Sequence, residues 1–130
     1  MNEKLVNIVC NKHHLKNMRL ENLKYTSGTL ELALVTSDTA YDKANAIQVS
    51  FDWIHSFRVT DEGNLLKMQY EFKGEMITGI YTIENSCYLT WFSEQSANIH
   101  DSNSIKTYLI VTGDEVIEVL SSVKPVMKYS

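Results

Sequence analysis

Several features that would indicate a particular class of protein are scarce in this sequence. Only two cysteines, Cys10 and Cys87, occur among the 130 residues, and they share no metal-binding or redox spacing. Uninterrupted apolar runs are only a few residues long, as at residues 32–35, which argues against a membrane-spanning helix. The first residues place charges on both sides of a very short apolar stretch without a cleavage-like site, so no signal peptide is expected. We therefore expect a cytoplasmic protein with reduced thiols.

Positive charge is also sparse. Twelve basic residues stand against sixteen acidic ones, giving a net charge of −4, and no dense basic run occurs. A surface that binds nucleic acid by neutralising phosphates is therefore not expected. The sequence has neither a glycine-rich phosphate loop nor a dinucleotide-binding fingerprint. A chain of this length fits a single domain, residues 1–130, which can bury a core without a metal or a disulfide.

Alternation of apolar and polar residues dominates the chain, which is typical of half-buried β-strands. The longest alternating run covers residues 47–60, with a bend expected where Ile54 interrupts the pattern. A turn at residues 60–64 and an alternating run at 66–72 predict a hairpin with this strand. Further strands are predicted near residues 18–23, 30–34, 77–83, 107–111 and 116–120, the last two forming a second hairpin.

One segment follows a helical period instead. Cys87, Tyr88, Trp91 and Phe92 lie at spacings that place them on one face of a helix. Asn85 or Ser86 can cap its first turn, because a side-chain oxygen accepts a hydrogen bond from a backbone N–H there. We predict an amphipathic helix near residues 86–97. The fold class is then α+β and mostly antiparallel β, as a twisted sheet or partial barrel of about seven to nine strands.

Histidines supply the candidates for catalysis. His55 lies two residues from both Trp53 and Phe57, so in a strand the three side chains point to the same face. The imidazole is therefore expected on the apolar side of the strand. Burial would suit a general base of lowered pKa, but a hydrogen-bonded structural imidazole explains the pattern more simply. His100, Asp101 and Ser102 contain the residue types of a triad, although side chains consecutive in sequence diverge. We expect no catalytic residue.

Two acidic pairs occupy predicted turns, Asp61 with Glu62 and Asp114 with Glu115. Adjacent turn residues point in different directions, whereas carboxylate catalysis needs two groups converging on one substrate. Turn formation explains these residues more simply.

A Cys10, His13 and His14 cluster has ligand types that suit zinc, but a structural zinc needs four ligands. The remaining candidates, His55, Cys87 and His100, lack motif spacing. No metal and no cofactor is predicted.

Three segments, FRVTDEGNL, YTIENSCYLTWFSEQS and IKTYLIVTGDEVIEVLSSVKP, occur in this order within residues 47–125. The series resembles small bacterial immunity proteins that accompany contact-dependent or polymorphic toxins. One departure is Thr107, where the pattern tends to carry a histidine. The resemblance implies stoichiometric neutralisation of a cognate toxin, whose basic surface acidic loops would attract. The residues expected to contact that partner are Asp38, Asp42, Asp61, Glu62, Asp114 and Glu115.

Two other hypotheses remain open at this point. A small-ligand-binding β-barrel or half-barrel would line its interior with Phe51, Trp53, Met68 and Tyr70, because aromatic residues around a cavity and in a filled core look alike in sequence. An enzyme using His55 or His100 has the least support.

Overall fold

The described residues of the polypeptide form two antiparallel sheets and a short helix. A computed structural model describes residues 3–8, 18–38, 43–61, 63, 78–97, 99 and 104–129. Its elements are β1 (Lys4–Asn7), β2 (Arg19–Thr26), β3 (Thr29–Asp38), β4 (Lys43–Phe51), β5 (Ser56–Asp61), β6 (Gly79–Glu84), α1 (Cys87–Gln95), β7 (Lys106–Val111), β8 (Glu115–Ser121) and β9 (Val126–Tyr129). The predicted α+β class, mostly antiparallel β with an amphipathic helix near residues 86–97, is confirmed.

The strands divide between two open sheets. One sheet has the order β1-β6-β7-β8-β5, and the other has the order β2-β3-β4-β9, with every neighbouring pair antiparallel. In the described part of the chain the two sheets are not closed into a barrel. Of the helices in that part, none has the length and apolar character needed to cross a membrane.

The strands predicted near residues 18–23 and 30–34 are confirmed as β2 and β3, which pair as a hairpin. Ser27 and Gly28 both have positive φ, 47° and 89°, which is the conformation of the two-residue turns that suit twisted hairpins. Leu30, Leu32 and Leu34 alternate along β3 and are fully buried. A shift in register between Leu20 and Asn22 marks a β-bulge, which lets Leu20 and Leu23 both pack against the core despite their odd spacing.

The main core lies between the sheets. Leu32, Val49 and Phe51 of the four-stranded sheet belong to the same buried cluster as Ile110 and Ile117 of the five-stranded sheet. Each fully buried side chain of this size stabilises the fold by roughly 1.5–3 kcal/mol relative to an exposed one. The inter-sheet region is therefore filled by side chains.

The central strands β7 and β8 are buried on both faces. In β7, Ile110 faces the main core, while Leu109 and Val111 join Val116 of β8 in a second cluster on the opposite face. This explains the near-continuous apolar runs of the second hairpin, because strands covered on both sides do not need polar residues at alternate positions.

The predicted long strand over residues 47–60 is in fact two strands in different sheets. β4 ends at Phe51 and β5 begins at Ser56, so the chain crosses from one sheet to the other between them. The crossing is held by backbone bonds, from Ile54 N–H to Gly28 O at 2.8 Å and from His55 N–H to Leu120 O at 2.8 Å.

This crossing reverses two burial predictions. Trp53, expected in the core, is 51% exposed, whereas Ile54, expected to break the pattern, is buried. The carbonyl of Trp53 accepts a hydrogen bond from the Ser121 hydroxyl at 2.6 Å. Its indole ring occupies the space where a Cβ on Gly28 would lie, so the turn before β3 requires glycine.

The predicted helix is confirmed as α1. Ser86 is its N-cap, and the Ser86 hydroxyl accepts a hydrogen bond from Leu89 N–H at 3.1 Å. The packed face differs in part from the prediction: Tyr88, Leu89 and Phe92 pack with Ile105 and Leu120, whereas Cys87 and Trp91 are exposed.

Several strand predictions have different outcomes. The strands near residues 77–83, 107–111 and 116–120 are confirmed as β6, β7 and β8. β5 pairs with β8, and the predicted strand at residues 66–72 lies outside the described residues. The short strands β1 and β9 were not predicted. β9 pairs with β4 directly after Pro125, so that proline stands next to a sheet edge, where a missing backbone donor is tolerated.

Candidate functional site

An ion pair connects the two strands at one edge of the five-stranded sheet. Arg58 of β5 stands opposite Glu118 of β8 and binds its carboxylate through two bonds, Nε to Oε1 at 2.7 Å and Nη2 to Oε2 at 2.9 Å. The Glu118 side chain is 2% exposed and the Arg58 side chain is 47% exposed. The hydrogen bond with Glu118 raises the pKa of Arg58, while burial acts in the opposite direction. The pair gives the buried carboxylate of Glu118 two hydrogen bonds.

Tyr88 of α1 extends this arrangement toward the helix. The Arg58 guanidinium lies 4.1 Å from the centre of the Tyr88 ring, a cation–π contact, and the Tyr88 hydroxyl is hydrogen-bonded to the Ser56 hydroxyl. Burial raises the pKa of Tyr88, so the phenol stays protonated at neutral pH and is not a base. The geometry therefore fixes the helix to the sheet; it does not assemble a nucleophile and a base.

Three of the predicted partner-binding carboxylates converge at one end of the five-stranded sheet. Asp61, the last residue of β5, is paired in register with Glu115, the first residue of β8, and Asp114 precedes Glu115 in the turn. Burial raises the pKa of Glu115 first, and the negative charges of Asp114 and Asp61 raise it further, while a hydrogen bond with Thr112 acts in the opposite direction. Like charges are thus held close together.

The prediction that these acidic residues form turns is confirmed for Asp61, whereas in the second turn a different side chain makes the hydrogen bonds. The Asp61 carboxylate accepts a hydrogen bond from Gly63 N–H at 2.8 Å, which is the self-capping expected of aspartate in a turn. In the second turn the Thr112 hydroxyl takes that role, accepting from Asp114 N–H at 3.3 Å and Glu115 N–H at 2.9 Å. The carboxylate of Asp114 is exposed at the turn.

The structure does not describe the side chains of the other three predicted carboxylates. Asp38 is the last residue of β3, and its side chain is not described. Asp42 and Glu62 lie outside the described residues.

His55 occupies the crossing between the sheets. It is half-buried, and its ring centre lies 5.8 Å from that of Phe92 on α1. This position agrees with the structural interpretation of an imidazole packed at a bend.

The remaining metal and triad candidates Cys10, His13, His14, His100, Asp101 and Ser102 lie outside the described residues. Among the residues that are described, no group of three or more His, Cys, Asp and Glu side chains could hold a metal ion.

Large aromatic side chains are exposed around the other end of β5. Trp53 is 51% exposed, Tyr25 51% and Trp91 50%. Tyr25 contacts Phe57 with 5.4 Å between ring centres, and Trp91 stacks on Tyr88 at 5.9 Å. Tryptophan and tyrosine held in place in this way provide large contact areas at little cost in conformational entropy, which is why they are common in protein interfaces.

A groove of about 810 Å³ separates α1 from β6 and β7. The residues that line it are Thr82, Ile83, Glu84, Asn85, Ser86, Cys87, Leu89, Thr90, Ser93, Glu94, Ile105, Lys106 and Thr107. Thr107 is 1% exposed, and its hydroxyl oxygen has no hydrogen-bond partner in the part of the chain that the structure describes. Sequence reasoning did not find this groove. Its signal was the departure at Thr107, a polar residue directly before the apolar run of residues 108–111.

Comparisons with known proteins add no assignment: no protein-family model, no curated protein and no solved structure matches the chain.

Proposed function

We propose that this protein is a non-catalytic binding module that neutralises a cognate bacterial toxin by forming a stoichiometric complex with it. The resemblance of the segments within residues 47–125 to toxin-immunity proteins supports this proposal. The carboxylates at one end of the five-stranded sheet are the observation that carries it, because they provide a concentrated negative charge suited to a basic partner.

The acidic group consists of Asp61, Asp114 and Glu115. Placing like charges together works against folding, since each carboxylate raises the energy of the others. A cationic surface would relieve that repulsion on binding and would also accelerate association by long-range attraction. A partner that supplies positive charge would therefore account for the electrostatic repulsion among the three carboxylates at this end of the sheet.

The exposed aromatic residues at the opposite end of β5 complement this role. Trp53, Tyr25 and Trp91 are the residue types that contribute most binding energy in protein interfaces. In this proposal the carboxylates attract and orient the partner, and the aromatic side chains provide short-range contact area.

The small-ligand barrel has less support. The two sheets are open in the described part of the chain, and Phe51, proposed as a cavity wall, is buried with its ring 5.3 Å from that of Tyr108. Trp53 is exposed, while Met68 and Tyr70 lie outside the described residues.

Co-expression with the product of the adjacent reading frame tests the proposal. We expect a stoichiometric complex to copurify, and the triple variant Asp61→Asn/Asp114→Asn/Glu115→Gln to reduce its yield. The control Glu21→Gln/Glu31→Gln/Asp52→Asn removes the same amount of charge elsewhere and should leave the yield unchanged. Absence of a complex, or equal effects of the two triple variants, would contradict the proposal.

A further inference from the structure

We propose that the groove between α1 and the β6–β7 strands receives a lysine or arginine side chain of a protein partner. The inference rests on the proposed function for the nature of the partner, but it concerns a different surface from the carboxylates of Asp61, Asp114 and Glu115. The groove has the volume of a ligand site, about 810 Å³, so a basic residue and its flanking peptide units fit within it.

The unpaired hydroxyl of Thr107 is the first observation. Thr107 is 1% exposed, and a buried polar atom without a partner is unusual in native proteins. Two other hydroxyls of the groove already have partners, since Ser86 accepts from Leu89 N–H and Thr90 donates to the carbonyl of Ser86. Thr107 is among the residues that line the groove, and among the described residues its buried oxygen lacks the hydrogen-bond donor that a ligand N–H at this wall would supply.

The walls of the groove match the two halves of a basic side chain. Leu89 is half-buried and provides apolar surface for an aliphatic stem, whereas Ile83 and Ile105 are nearly fully buried. Glu84 and Glu94 are exposed carboxylates that can bind the cationic head.

The charge balance of the groove also favours a cation. The positive charge of Lys106 offsets one of the two carboxylates, Glu84 and Glu94, so the described residues of the lining carry one net negative charge. The last turn of α1 carries no basic residue, so the partial negative charge of the helix C-terminus adds to that of Glu94.

Titration of the ¹⁵N-labelled protein with two capped tripeptides tests the inference by NMR. Acetyl-Gly-Arg-Gly-amide should shift the backbone amide signals of Thr90, Ser93, Lys106 and Thr107, with a Kd of about 1 mM. Acetyl-Gly-norleucine-Gly-amide has the apolar stem without the charge and should bind more weakly. No shift of these signals with the arginine peptide, or equal shifts with both peptides, would overturn the inference.

Variants assign the binding to the groove. Thr107→Val should weaken binding of the arginine peptide about tenfold, while Thr107→Ser, which keeps the hydroxyl, should retain it. Glu84→Gln/Glu94→Gln should weaken it about fivefold, and Lys106→Gln should strengthen it. The control Glu21→Gln/Glu31→Gln changes the net charge equally in the other sheet and should have no effect. Equal losses in the control and in Glu84→Gln/Glu94→Gln would overturn the inference.

The same variants separate this inference from the proposed function. A toxin complex that copurifies equally with Thr107→Val, Glu84→Gln/Glu94→Gln and wild type would reject the groove as part of the interface and leave the function standing. Binding of the arginine peptide together with failure to find any toxin complex would reject the function instead.

Discussion

Thr107 and Thr112 stand at the two ends of β7 with the same 1% exposure, but they differ in hydrogen bonding. The Thr112 hydroxyl donates to Glu115 O and accepts from two backbone N–H groups of the turn. The Thr107 hydroxyl has no partner among the described residues. The two positions therefore form a natural pair for measuring what a buried hydroxyl contributes.

We predict opposite outcomes when each threonine is replaced by valine. Thr112→Val should lower the free energy of unfolding by about 1–3 kcal/mol, because two turn N–H groups lose their acceptor. Thr107→Val should leave it unchanged or raise it by up to about 1 kcal/mol, because the isosteric methyl removes an unsatisfied polar atom. Equilibrium unfolding in urea measures both. Equal destabilisation by the two substitutions would show that Thr107 has a partner in the folded protein.

The Arg58–Glu118 pair predicts strong coupling between two substitutions. Arg58→Met should lower the free energy of unfolding by about 3 kcal/mol, since it leaves the buried carboxylate of Glu118 without its guanidinium. The double variant Arg58→Met/Glu118→Leu should be more stable than the Arg58→Met single variant, because no buried charge remains. A double-mutant cycle by urea unfolding gives the coupling, and additive losses would contradict the assignment of a buried ion pair.

Glu115 predicts a pH-dependent effect on stability. Its folded-state pKa is raised by burial and by the charges of Asp114 and Asp61, so the folded protein takes up a proton more readily than the unfolded chain. The resulting stabilisation is complete below the unfolded-state pKa of about 4.3 and is lost as pH rises through the folded-state pKa. Glu115→Gln should therefore raise the free energy of unfolding at pH 7 and have little effect near pH 4.

Urea unfolding at both pH values checks this prediction, with Glu21→Gln as the control for an exposed carboxylate elsewhere. An increase that is the same at both pH values would contradict an electrostatic origin.

Much of the fold follows from local patterns in the sequence. Alternation of apolar and polar residues predicted the strand near residues 30–34, now β3, and the turn at Asp114 and Glu115 predicted the β7–β8 hairpin, because these patterns depend on neighbours along the chain. The Ser86 cap and helical spacing predicted α1 for the same reason. The short strands β1 and β9, of four residues each, were missed, since so few residues carry too little periodicity.

The crossing between β4 and β5 shows where local reasoning stops. Trp53 continues the alternation of Val49 and Phe51, but the chain leaves one sheet for the other after Phe51. Alternation assigns a residue to one face of a sheet only while the residue belongs to a single strand. Residues 52–55 lie between two strands, and there Trp53 is exposed and Ile54 is buried.

The acidic group at one end of the five-stranded sheet also could not be predicted from local sequence patterns. Asp61 and Asp114 were each predicted at turns, but their proximity depends on the β5–β8 pairing, which joins residues more than fifty positions apart in the sequence.

The most direct test of the proposed function is the association rate constant of this protein with the product of the adjacent reading frame, measured by stopped flow over a range of salt concentrations. The proposal predicts that the rate falls as salt increases, and that Asp61→Asn/Asp114→Asn/Glu115→Gln slows association about tenfold at low salt with little change in dissociation. An association rate that is independent of salt and of these three substitutions, or the absence of any complex, would contradict it.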